Sequence, residues 1–319
     1  MPTFTPVEIA VQNRYREAAQ KKVEALCCPV DYDPGYLGVI PQEVLERDYG
    51  CGNPTRHLRP GETVLDLGSG GGKTCFIASQ VVGAAGRVIG VDMNDDMLAL
   101  ARKHQKTVGD ALGWHNVDFR KGRIQDLALD LELLDAELKQ CPIASAEALF
   151  AAERFAEELR LQRPLVAADS VDVVISNCVL NLVDPRAKSR VFQEIFRVLK
   201  PGGRAVISDI ASTEEVPAAM QGNAELWSGC IAGALTEEAF LRAFRDSGFS
   251  GIRILKRDAT PWRVVQGIEF RSLTVEAGKG APEGGPGRKH AVIGHGPIKE
   301  VRDESRHSSS QCCGSGNCD

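Results

Sequence analysis

The chain has 319 residues, 43% of them hydrophobic and 25% charged, an ordinary composition for a soluble globular protein with apolar material enough for a large core. Its formal net charge of −5 argues against a general nucleic-acid binder, which needs surplus Lys and Arg to displace counterions from phosphates. No run approaches the ~18 consecutive apolar residues of a membrane span, and the opening MPTFTPVEIAVQNRY lacks the basic and apolar regions of a signal peptide. The expectation is a cytoplasmic protein with neither membrane nor nucleic acid as partner. Ten cysteines are then the anomaly, because a reducing compartment disfavours a disulfide framework and leaves metal or metalloid binding, redox work and burial.

The first sixty residues read as mostly helical, with a loop of turn formers between Pro29 and Pro41. Val64 to Leu67 is a short apolar strand, followed at once by glycines and then by a helix-like segment from Phe76 to Val82. RVIGVD is a second strand ending at Asp92, DMLALARKH an amphipathic helix and VDFRKG a third strand. Residues 127–163, rich in Leu, Ala and Glu, predict a helical insertion before the buried strand VDVVISN. Ser189 to Leu199 reads as a helix stopped by Lys200-Pro201-Gly202-Gly203, and RAVISD as the next strand. This alternation predicts an α/β fold with a doubly wound parallel sheet. GIRILK and IEFRSLTVEA have no helix between them, so they predict an antiparallel, hairpin-like edge. From residue 278 onward glycine, proline, serine and charge replace apolar periodicity, the mark of a flexible tail. The domain reading is therefore an N-terminal segment 1–60, a main domain 61–277 and a cysteine-containing tail 278–319.

Spacing separates three readings of GSGGGKT. A nucleoside-triphosphate loop, G-x-x-x-x-G-K-[ST], requires glycine six residues before Lys73 and meets Leu67 there. The dinucleotide fingerprint begun at Gly68 and Gly70 requires glycine at 73 and meets Lys73. What fits is D-x-G-x-G-x-G, made by Asp66, Gly68, Gly70 and Gly72, with Asp92 ending the next strand where it can accept both hydroxyls of a ribose. An acidic strand end without a pyrophosphate cradle suits S-adenosylmethionine (SAM). The pattern resembles the class I SAM-dependent methyltransferases, with their Rossmann-like seven-stranded sheet and antiparallel terminal strand. That resemblance places Ile124 and Gln125 beside the adenine. Tyr49, Ser69, Met93 and Asn177 complete the candidate cofactor site with Asp66, Gly68, Gly70 and Asp92.

Cys51 in DYGCGNP, Cys178 after VDVVISN and Cys230 in ELWSGCIAGAL all belong to loops expected over one rim of the sheet. Singly, each is explained by burial as a small hydrophobe. Together, three thiolates without accompanying histidines suit a soft trivalent centre such as arsenite better than tetrahedral zinc. His57 reads as a loop histidine. YGCG, SNCVLNLV and LWSGCIAGAL resemble the signatures of the arsenite SAM-dependent methyltransferases. This resemblance implies that Cys178 and Cys230 hold As(III), that Cys51 joins them, and that an N-terminal cysteine, Cys28 or its neighbour Cys27, pairs with the third during turnover. It implies arsenite and methylated arsenicals as substrates, SAM as methyl donor, and glutathione or thioredoxin as thiol reductant. A lone pair on arsenic needs no general base to attack a sulfonium methyl, and positioning supplies most of the rate. Two rival readings stand beside this one: a SAM-dependent methyltransferase of an organic small molecule, and a protein that sequesters arsenite without transforming it. The tail cysteines Cys312, Cys313 and Cys318 are candidates for capturing arsenite.

Overall fold

The computed structural model describes residues 6–23 and 30–280, all within one compact unit, Met1–Pro282. Three helices come first, α1 (Pro6–Gln20), α2 (Pro34–Leu37) and α3 (Gln42–Glu46). Then β1 (Thr63–Leu67), α4 (Lys73–Val82), β2 (Arg87–Asp92), α5 (Asp95–Leu112) and β3 (Val117–Lys121) alternate. The insertion is a helical pair, α6 (Leu131–Gln140) and α7 (Ala146–Gln162), each started by a side-chain cap, from Asp130 and Ser145 respectively. The chain continues through β4 (Val171–Asn177), α8 (Pro185–Val198), β5 (Leu199–Ser212), α9 (Ala218–Gln221), α10 (Ala224–Ser228), β6 (Leu235–Thr236) and α11 (Glu237–Asp246). It ends in β7 (Ser250–Arg257), β8 (Arg263–Val265) and β9 (Ile268–Gly278).

The main path of the sheet is β3-β2-β1-β4-β5-β9-β7, seven strands, with β6 and β8 pairing at its side to bring the total to nine. β9 runs antiparallel to both β5 and β7. The expected antiparallel edge is the β9-β7 pair at the end of the sheet, with the last strand taking the inner place. β9 lies between β5 and β7 and is largely buried, whereas β7 is mostly exposed or half-exposed. The apolar partner goes inside and the strand rich in basic residues takes the solvent-facing edge. The helix read from Ser189 starts earlier, at Pro185, where Asp184 caps it and proline occupies the first turn.

Period-two alternation sends the central strands to two cores. Leu65, Leu67, Ile89, Val174 and Ile207 meet Phe192, Phe240 and Phe244 of α8 and α11 on one face. Val64, Val88, Val173, Ile175 and Val206 meet Phe76, Ile77 and Leu98 of α4 and α5 on the other. Burying each of these large side chains contributes roughly 2 kcal/mol. Two covered faces leave the carboxyl rim of the parallel strands as the place for ligands.

Candidate functional site

β1 ends against a loop stitched to its neighbour. Gly68 N and Ser69 N both donate to Val91 O, at 2.8 and 3.1 Å, and Gly70 N donates to Asp92 Oδ2 at 2.8 Å. Asp92 Oδ1 accepts from Asn94 N at 2.8 Å. Gly68 has φ +69° and a Cβ there would lie 2.5 Å from Val179 side-chain carbons, so only glycine fits. At Gly70, φ +51°, a Cβ would meet nothing within 4 Å, because the backbone faces open space. Lys73 is engaged with Asp48 at 2.9 Å and lies over the Tyr32 ring, which leaves it committed within the fold rather than held out toward a phosphate. Asp66 is buried and accepts from the Cys75 thiol at 3.2 Å. Burial pushes its carboxyl up to about 7, and burial also raises Asp92.

All ten residues read as the cofactor site line one cleft: Tyr49, Asp66, Gly68, Ser69, Gly70, Asp92, Met93, Ile124, Gln125 and Asn177. The cleft encloses about 1120 Å³ of empty space, open mouth included, ample for a drug-sized ligand. Sequence reasoning missed its outer wall, to which α1 contributes Glu8, Val11, Gln12 and Tyr15. The apolar and polar alternation of α1 signals a half-buried helix but does not say what it covers.

Cys178 directly follows β4 and lines the same cleft. Its neighbour Asn177 does more than line it. Asn177 Oδ1 accepts from Cys51 N and Gly52 N, both at 2.9 Å, and Nδ2 donates to Gly52 O at 2.7 Å. Ser272 Oγ on β9 donates to Cys51 O at 2.7 Å. The Cys51 turn is thus clamped onto the end of β4 and the middle of β9. Cys51 and Cys178 are joined by a disulfide, with Cα atoms 5.7 Å apart. Cys230, carried past α10, places its thiol against Cys178 O at 3.4 Å. The three cysteines are 3%, 4% and 5% exposed, so the rim does bring together the trio read from sequence.

A polar frame supports them. Asp209, at the rim end of β5, has a carboxylate oxygen within 4.8 Å of the Cys51 and Cys178 sulfurs. It accepts from Leu180 N at 2.8 Å and Ile210 N at 2.7 Å, and burial pushes its carboxyl up to about 6. Asn181 Nδ2 donates to Ile210 O at 2.7 Å and to Cys230 O at 3.4 Å. Buried Lys188 donates to Gly233 O, and burial pulls its ammonium down to about 8 against the opposing charges of Asp209 and Cys230.

Residues 58–248 match the family model described as a methyltransferase domain. An arsenite methyltransferase of Mus musculus is 31% identical over 305 residues, 91% of this chain and 71% of the relative. The chain belongs to the arsenite methyltransferase family. Arsenite methyltransferases of Aquipseudomonas alcaligenes and Halobacterium salinarum are 34% and 39% identical, over 77% and 66% of this chain. The chain spans 63% and 43% of the length of those two relatives. An arsenic (III) S-adenosylmethionine methyltransferase from Chlamydomonas reinhardtii is similar in structure, with a TM-score of 0.61 and 30% identity over 80% of this chain and 76% of that one.

Of the remaining residues singled out in this family member, His57 ends a short 3-10 helix, Pro54–His57, and is half-buried, which lowers its pKa. It takes no part in lining the cleft. Cys27, Cys28, Cys312, Cys313 and Cys318 lie outside the described residues. Among the described residues, no helix is long and apolar enough to cross a membrane.

Proposed function

We propose that this chain is an arsenite methyltransferase, moving methyl groups from SAM to trivalent arsenic held by Cys51, Cys178 and Cys230. The observation that carries the reading is that Cys178 belongs to both halves of the site. It lines the cleft, is bonded to Cys51, and receives the Cys230 thiol on its carbonyl.

The cleft suits SAM on its own chemistry. Asp92 accepts from Gly70 N and Asn94 N of its own rim, and a carboxylate has about four acceptor sites, so capacity remains for a ribose hydroxyl. Asp66 offers a carboxyl beneath the loop for a cationic amino group. When bound, SAM supplies a methyl on a positively charged sulfur, open to attack by the arsenic lone pair. The chain's own work is to hold the two reactants in register and exclude water.

Arsenite loads by exchange, each thiol replacing one arsenic hydroxyl and releasing one water. Cys51 and Cys178 must be thiols for this, so their disulfide has to be reduced first. The same pair offers an electron source: methyl transfer oxidises arsenic by two electrons, and closing the disulfide returns two. Glutathione or thioredoxin would then reset the pair, and the reaction suits the cytoplasm, where both are present.

The test is reduced protein with SAM, arsenite and glutathione, the arsenic species being separated by chromatography with elemental detection. Methylated arsenic that requires both SAM and protein is the expected result. Arsenic that is bound but unchanged would make the chain a sequestering protein. SAM consumption indifferent to arsenite would make it a methyltransferase of an organic molecule.

A further inference from the structure

Asp66 lines the cofactor cleft, yet its carboxylate is almost unserved. It is 2% exposed, and a carboxylate has about four acceptor sites. Among the described residues one hydrogen-bond donor reaches it, the thiol of Cys75 in α4, at 3.2 Å from Oδ2. Cys75 is fully buried and does not itself line the cleft, so whatever it does for a ligand it does through Asp66.

The thiol reaches the acid through a gap in β2. Gly90 is the register partner of Asp66 across β1 and β2, and a Cβ at Gly90 would lie 2.9 Å from Cys75 Sγ. A side chain there would fill the place that the sulfur takes. On the other side the register partner is Ile175 of β4, which is apolar and offers no donor. The charged groups facing Asp66 are Asp48, from the segment before β1, and Asp92 of β2. Lys73 of α4 is spent on Asp48 at 2.9 Å. The Tyr32 hydroxyl donates to Gly52 O at 3.3 Å and accepts from Asn177 Nδ2 at 3.2 Å. Burial, with the Asp66 charge beside it, pushes the Cys75 thiol well above its ordinary range, so it keeps its proton and is the donor.

We propose that Cys75 is a positioning residue for the methyl donor: its thiol holds Asp66 Oδ2 and leaves Oδ1 to meet the ammonium group of SAM. This rests on the cofactor reading given above. The hydrogen bond also favours the charged form of the acid, opposing the burial that raises its carboxyl to about 7. The cysteine therefore serves the cofactor half of the site and takes no arsenic.

Two variants separate the donor from the shape. In Cys75→Ala, SAM and S-adenosylhomocysteine should bind roughly fivefold more weakly at pH 7, because Asp66, about half ionised there in the wild type, falls to about one molecule in ten without its donor. The midpoint of the affinity profile should move up by about one pH unit, so the deficit widens below pH 7 and closes above it. Cys75→Ser, which restores a donor, should stay within about twofold of the wild type. Arsenite affinity should be unchanged in both, a control for folding. An infrared difference spectrum, reduced wild type minus Cys75→Ala, should show an S–H stretch lowered in frequency from that of a free thiol. Wild-type affinity and pH midpoint in Cys75→Ala, equal losses in the alanine and serine variants, or an S–H stretch at the free-thiol frequency would each overturn the proposal. A wild type that binds no SAM would instead overturn the cofactor reading, and the proposal with it.

Discussion

Cys178 and Cys230 share one backbone conformation, φ +62° at each, and the thiol of the second donates to the carbonyl of the first at 3.4 Å. A side chain in the left-handed region costs about 1–2 kcal/mol. Two such residues facing one another at the rim of a sheet mark a place where the fold sacrifices stability to aim sulfur.

Cys178→Ser and Cys230→Ser should each abolish methylation of arsenite while SAM still binds. Serine keeps the shape but presents a hard oxygen to a soft centre. Turnover assays paired with calorimetry of SAM binding check both halves, and substantial turnover by either variant would remove that cysteine from the substrate site.

Asn177→Ala should harm the thiol site more than the cleft. It strips the acceptor from two backbone N–H groups, at Cys51 and Gly52, and leaving them unpaired costs on the order of 2 kcal/mol. Arsenite affinity should fall and the melting temperature drop by several degrees, with SAM affinity changing less. A variant weakened chiefly toward SAM would return Asn177 to a direct cofactor role.

SAM affinity should decline as pH falls below about 7. Asp66 has its folded pKa raised to about 7 by burial, so below that pH it is neutral and attracts no ammonium group. Affinity should fall by up to tenfold per pH unit there. The sign for stability is opposite: the unliganded fold holds this proton more tightly than the unfolded chain, so raising pH from about 4 to about 7 costs stability. Asp66→Asn should flatten the affinity profile, and an unchanged slope in that variant would assign the titration to another group.

Cofactor occupancy should protect the disulfide. Both of its sulfurs are nearly fully buried, and Cys178, not Cys51, lines the cleft. A small thiol therefore approaches through the same opening the cofactor uses. Saturating S-adenosylhomocysteine should slow reduction by glutathione several-fold, followed by alkylation and mass spectrometry. Equal rates with and without it would show another route of entry.

The glycine loop, Asp92 and the strands around them were legible because each is written locally: an apolar run, a glycine spacing, an acid at a strand end. The three cysteines were legible as a set only because each follows or precedes a strand whose rim end is known from the alternation. What was not legible is long-range. Asn177 clamps a turn 126 residues away, and nothing in VDVVISN distinguishes an asparagine that binds a backbone from one that binds a ligand. The placement of β9 inside β7 depends on which of two apolar-patterned strands is the more deeply buried, a comparison that only packing makes. The covering of the cleft by α1 depends on contacts with α5 and α10, neither of them adjacent in sequence.

The central claim is that the thiols at the rim present arsenic to a methyl donor in the adjoining cleft. A single turnover tests it most directly: reduced protein, one equivalent of arsenite and SAM labelled on its methyl carbon, with no added reductant. The account predicts that the label appears on arsenic in step with loss of protein thiols. Label that remains on SAM while arsenite stays bound and unmethylated would contradict it.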